Sequence, residues 1–198
     1  MPYPSVDGPY GLIPVNLIGG QVFASATRQI PIATNSSTTI FFGDVVKLNS
    51  SGTLDKDTGT NVATPVGVFL GCTYTDPVYG KTFRQFYPGT TNITDVVAYV
   101  QDDPDALFKA AVCTAGSTTI SFVTRANVGE NSALVQNAGN TLNGDSRVAI
   151  SATAATASTL PVRIIDVIPE TQSSAGSFTE VIVKWNQGMH PYLNPTGV

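Results

Sequence analysis

The sequence predicts an all-β protein: two small β-barrel or sandwich lobes with an extended N-terminal arm. Three observations carry that expectation. Short runs rich in Val, Ile, Thr, Phe and Tyr recur along the chain, broken by Gly, Asn, Asp and Pro, which is the pattern of sandwiches and barrels. Five prolines, Pro2, Pro4, Pro9, Pro14 and Pro31, crowd the N-terminal stretch and deny it a helix. The chain of 198 residues is 42% hydrophobic, enough to fill one large core or two small ones.

Residues 1–38 form the arm. Besides its prolines it carries Tyr3, Tyr10, Leu12, Ile13, Val15, Leu17, Ile18 and Phe23, too apolar a set for a solvated tail. It should lie against its own domain or against a neighbour. The first β lobe spans 39–104, with strands expected at 39–42, 45–48, 66–73, 82–86 and 96–100. The second spans 105–198, with strands expected at 119–123, 148–150, 162–167 and 180–185. In the last of these, Val181, Val183 and Trp185 alternate onto one face. The boundary between the lobes is soft, and a single domain is the alternative. Asp103-Pro104-Asp105 places a capping aspartate before a proline, so one helical turn is expected there, leading into a strand in the run Leu107 to Val112, with a helix continued over Ala106 to Ala111 as the alternative. The Ala/Thr/Ser tract 151–159 reads as a loop or an exposed strand, because its threonines weaken a helix.

Composition excludes several classes. Charged residues make up 12% of the chain, against about 25% in an ordinary domain. The net charge is −4, and the ten Lys and Arg are scattered singly. A nucleic-acid partner would call for a basic stripe, so none is expected. No stretch approaches 18 apolar residues, so no membrane span is expected. The opening Met-Pro-Tyr-Pro-Ser lacks the basic and apolar regions of an export signal. Cys72 and Cys113 fit neither a disulfide framework nor a four-ligand zinc site, and read as buried thiols, with one disulfide between them as the alternative.

The search for chemistry yields little. The single histidine, His190, lacks a Gly-x-Ser-x-Gly nucleophile elbow. There is no phosphate-binding loop and no dinucleotide fingerprint. Asp55-Lys56-Asp57-Thr58-Gly59 spaces oxygen ligands as calcium loops do, but lacks the closing glutamate and reads as a hairpin turn. Asp102-Asp103-Pro104-Asp105 reads as a cap and turn. A divalent cation there, or a carboxylate pair with Asp95, is the sharper alternative. No enzyme activity, cofactor or metal is expected. Tyr74, Tyr79, Phe83, Phe86 and Tyr87 read mainly as core and loop packing, with stacking on a sugar or anchoring of an interface as the alternative.

Two groups of motifs carry a family resemblance. Gly11-Leu12-Ile13-Pro14-Val15, Ile18-Gly19-Gly20 and the run from Ala26 to Ala33 resemble the opening of a family of tailed-phage virion structural proteins. Ile40-Phe41-Phe42-Gly43-Asp44-Val45-Val46-Lys47-Leu48, followed by Pro65-Val66-Gly67-Val68-Phe69-Leu70-Gly71, is similar to head-decoration (cement) proteins. The strands around Val162 and Val181 fit the same style. The resemblance implies a cap on the capsid exterior, without cofactors, that binds the major capsid protein and itself. A homotrimer is expected, with a dimer as the alternative. A head- or tail-fibre adhesin that binds host glycan is the rival reading. Tyr10, Leu12, Ile13 and Arg28 are the expected capsid or subunit interface. The arm is expected to act as a latch, ordered only where it lies on a neighbour or on the shell.

Overall fold

The computed structural model describes residues 6–22, 27–90, 92–114, 119–172 and 177–197. Phe23 and the first five residues, which the arm expectation included, lie outside the described residues. Among these the fold is nearly all β, with a closed barrel and a second curled sheet.

The barrel holds β8 (Ala106–Cys113), β9 (Asn131–Val135), β10 (Ala149–Ala155), β11 (Val162–Val167) and β12 (Glu180–Trp185). Around the wall the order is β8-β10-β9-β11-β12, and β12 returns to β8 through the pairs Glu180–Ala111 to Val183–Phe108. Alternation fills it: Val181, Val183 and Trp185 are buried, while Ile182 and Lys184 are partly exposed. Inside, the rings of Phe108 and Trp185 meet at 5.0 Å and 50°, a tilted packing that aromatic quadrupoles favour. Closure satisfies backbone groups that an open sheet would leave at its edges.

The second sheet runs β2 (Arg28–Pro31), β7 (Val97–Gln101), β5 (Gly67–Asp76), β3 (Val45–Leu48) and β4 (Leu54–Lys56), with β6 (Gly80–Arg84) on the far half of β5. It curls until Ile32 bridges Leu54 at the opposite end. Its core holds Ile30, Ile40, Val46, Leu54, Phe69, Tyr74, Tyr87 and Val100.

The arm is part of both lobes. Its first strand, β1 (Ile13–Leu17), pairs antiparallel with the first half of β8, and β10 takes over at Val112. Its second, β2, forms the edge of the other sheet on β7. Prolines fit because these are edges: Pro14 sits beside a register shift in β1, and Pro31 ends β2. The expectation that the arm is ordered only on a neighbour is therefore corrected, because both its strands pair within its own chain and Leu12, Ile30 and Ile32 are buried there, while Val15, Ile18 and Val22 stay exposed. The lobes also share a core, since Val45, Ala63 and Val68 pack with the barrel interior.

Other elements differ from expectation. Asp103-Pro104-Asp105 forms a turn without helix: the Asp103 carbonyl accepts from Ala106 N–H at 3.1 Å and its side chain from Asp105 N–H at 2.8 Å. The next eight residues enter the barrel directly as β8. Runs 39–42 and 119–123 reduce to single bridges, Ile40–Tyr87, Phe42–Asp145 and Ile120–Cys113. The tract 151–159 matches its strand alternative, since it supplies the largely unburied second half of β10 before turning.

Candidate interaction surfaces

Of the four expected interface residues, one is closed to any partner. Leu12 is fully buried in the shared core. A partner reaches it only if the fold opens, so its place in the expected interface is corrected. Tyr10 is half-buried, and its hydroxyl donates to Glu180 Oε1 at 2.5 Å. Lys109 Nζ lies 3.1 Å from the same oxygen and 5.5 Å from the centre of the Tyr10 ring. Burial, then the Glu180 hydrogen bond and charge, pushes the Tyr10 phenol well above its ordinary range. Ile13 opens β1 opposite Lys109 and is half-buried. Arg28 is exposed, but its partners are internal: Asp102 at 3.3 Å and the Tyr192 hydroxyl.

The two motif groups that carry the family resemblance meet in space. Leu12 N–H donates to the Gly43 carbonyl at 2.9 Å, and Gly11 N–H to Val148 at 3.1 Å. Gly11 and Gly43 both have positive φ, +84° and +85°. A Cβ on Gly11 would stand 2.7 Å from the Gly43 oxygen and 2.8 Å from Ser146 Cβ, so only glycine permits the approach. Beside them Asp44, fully buried, accepts from Phe41 N–H at 2.9 Å, Lys56 Nζ at 2.8 Å and Ser146 Oγ at 2.6 Å. The buried carboxylate thus joins the first lobe to the second through Ser146, and the arm is fastened to the neighbouring Gly43 carbonyl.

The C-terminal segment crosses back over the first lobe. His190 is 1% exposed, and its Nε2 lies 2.9 Å from the Val66 carbonyl. Tyr192 N–H donates to Nδ1 at 3.3 Å, and the Tyr192 hydroxyl donates to Asp102 at 2.8 Å. Burial holds the imidazole below its ordinary value, against the Val66 bond and the Asp102 charge.

The acidic clusters are occupied by the protein's own donors. Asp57 accepts Gly59 N–H at 2.8 Å and Thr64 N–H at 2.9 Å, and so fastens the loop after β4. The hairpin turn expected there lies earlier, at Asn49–Thr53, between β3 and β4. Asp102 faces Arg28 and Tyr192, and Asp105 holds Lys184 at 2.8 Å. Both oxygens of Asp95 bind Thr75, the hydroxyl at 2.6 Å and N–H at 2.9 Å, which holds the Asp95 carboxyl below its usual range. Among the described residues no three His, Cys, Asp or Glu side chains are grouped to hold a metal ion.

The aromatic run divides. Tyr74 and Tyr87 are core, and Phe86 stacks on Phe41 at 5.8 Å. Tyr79 and Phe83 project from the β5–β6 hairpin with Val78, exposed by 79%, 62% and 78% respectively. The sequence reading passed over Val78. The turn Asp76-Pro77-Val78-Tyr79-Gly80, with two apolar residues at its apex, carried the signal. Comparisons with protein-family models, curated proteins and solved structures return no match.

Proposed function

We propose that the protein is a capsid decoration (cement) protein of a tailed bacteriophage, assembling as a homotrimer on the outer surface of the major capsid protein shell. The observation that carries the reading is the β5–β6 hairpin of a weakly charged molecule, which presents Val78, Tyr79 and Phe83 to solvent within a few residues of one another in sequence. Contiguous exposed apolar residues mark association surfaces, and aromatic residues dominate their energetics. A ligand that binds only the assembled shell stabilises it by mass action, and many copies multiply a modest contact. The motifs from Gly11 to Leu48, which meet around Asp44, support the same reading through their resemblance to decoration proteins.

Cosedimentation with expanded shells tests it. The wild-type protein binds in hundreds of copies per particle, and a Tyr79→Ser/Phe83→Ser double variant of unchanged fold binds at least about tenfold more weakly, as expected for losing two anchors of roughly 1 kcal/mol or more each. A few copies at a vertex or tail would favour the adhesin reading. Undiminished binding by the double variant would remove the hairpin from the interface.

A further inference from the structure

A cleft of about 410 Å³ separates arm residues Asp7, Gly8, Pro9 and Tyr10 from the loop that carries Asn140, Asn143, Asp145, Ser146 and Arg147. Its polar groups are held in place. Asn140 Oδ1 accepts Leu142 N–H at 3.0 Å, and Asn143 Oδ1 accepts Asp145 N–H at 3.1 Å. Each amide is thereby oriented, and among the described residues neither NH₂ group has a partner. Asp145 is pinned through Oδ1 by Gln85 Nε2 at 2.7 Å, which leaves its second oxygen to accept. The exposed Arg147 guanidinium has no carboxylate partner among the described residues, unlike Arg28, Arg84 and Arg125. The floor is firm, because Gly144 and Ser146 exchange backbone hydrogen bonds with Phe42 at 3.0 and 2.9 Å.

We infer that this cleft is a binding site for a neutral saccharide unit. Two oriented amide donors and the Arg147 guanidinium face the second oxygen of the pinned Asp145, and a hydroxyl group, which both donates and accepts, satisfies both kinds. The charges sort the ligand further. Asp7 and Asp145 disfavour an anion beside Arg147, and Arg147 disfavours a metal ion beside the two carboxylates. The half-buried Tyr10 ring supplies the apolar surface for the C–H face of a sugar. The volume lies in the usual range of small-ligand pockets, roughly 300–1,000 Å³, and suits one or two sugar rings. An open, water-filled cleft of this kind gives weak binding that many copies on one particle would multiply.

The test is amide NMR of the full chain with glucose, galactose, mannose, N-acetylglucosamine, maltose and lactose, and with inorganic phosphate and calcium as the charged alternatives. At least one neutral sugar should move the resonances of residues 7–10 and 140–147 with millimolar affinity. Asn143→Ala and Arg147→Ala should each weaken that binding about fivefold or more, the loss of roughly 1 kcal/mol. The Arg147 side chain is exposed, so the melting temperature should hold in Arg147→Ala, which separates loss of binding from the turn bond that Asn143→Ala also removes. The inference is overturned if no neutral sugar perturbs the cleft, if phosphate or calcium perturbs it more strongly, or if neither substitution weakens the sugar.

Discussion

His190 Nε2 meets the carbonyl of Val66 at 2.9 Å, so the ring's one proton sits on that nitrogen while Nδ1 stays bare to accept Tyr192 N–H. A second proton would set N–H against N–H. Burial already holds the folded pKa below the ordinary 6.5, with Asp102 opposing and Lys184 assisting. Between those two values the unfolded chain binds more protons than the folded one, so stability rises with pH. The contribution is complete above about pH 6.5 and is lost as pH falls toward the lowered folded value. The wild-type melting temperature should therefore drop between about pH 7.5 and pH 5.5 by more than that of His190→Gln. Parallel pH profiles for the two proteins would contradict this.

Asp44 is the least replaceable polar side chain of the seam. Asp44→Ala leaves the Lys56 ammonium, with its side chain only 14% exposed, without its carboxylate, and strands the Phe41 N–H. Breaking a buried pair from one side costs roughly 3–5 kcal/mol. Urea denaturation should show that loss, and adding Lys56→Met should recover part of it.

The arm should prove structural. Leu12→Ala removes a fully buried side chain and should cost about 2–5 kcal/mol. Deleting residues 1–20 removes β1 and the Gly11–Gly43 approach, and should abolish cooperative unfolding. A truncated protein that stays folded and merely binds shells less well would restore the latch.

Cys72 lies in the first-lobe core, where burial pushes its thiol up to about 12 against the pull of Arg84. The thiolate attacks and the thiol does not, so at about pH 8 only roughly one molecule in ten thousand is reactive. Cys113 is raised in the same direction by burial, with Asn137 opposing. Ellman's reagent should label both only as fast as the protein unfolds. Rapid labelling of the native protein would show that the cores open.

Strands that are short β-branched runs with polar borders were legible: Val45–Leu48, Val162–Val167 and Glu180–Trp185 match their expected ranges, and the last alternates from Val181 to Trp185. The arm strands were hidden by Pro14 and Pro31, which forbid a central strand but not an edge, and edge position is a tertiary fact. Asn131–Val135 was hidden by its polar start. Asn131 and Ser132 are buried there because Asn131 accepts from Arg163 Nε at 2.9 Å and Ser132 donates to Ser151 O at 2.7 Å, both from neighbouring strands. Composition announced the scarcity of charge, but the meeting of Arg28, Asp102 and Tyr192 joins positions 74 and 164 apart and needs the fold itself. The cleft beside Tyr10 was invisible for the same reason, since its walls come from the two ends of a long stretch of sequence.

The threading of the arm has a consequence for the order of events on the ribosome. Strand β1 finds its place on β8, whose residues Ala106–Lys109 are made some ninety residues later. Gly11 waits longer still, for the carbonyl of Val148. Contacts so distant in sequence slow folding, and β1 stays without its β8 partner while the first lobe assembles behind it. An apolar stretch exposed for that interval is a target for chaperones and for other chains. The prolines that disguise the arm as a tail have a use in that interval, because a segment they stiffen, and from which they remove backbone donors, is slow to join the wrong sheet.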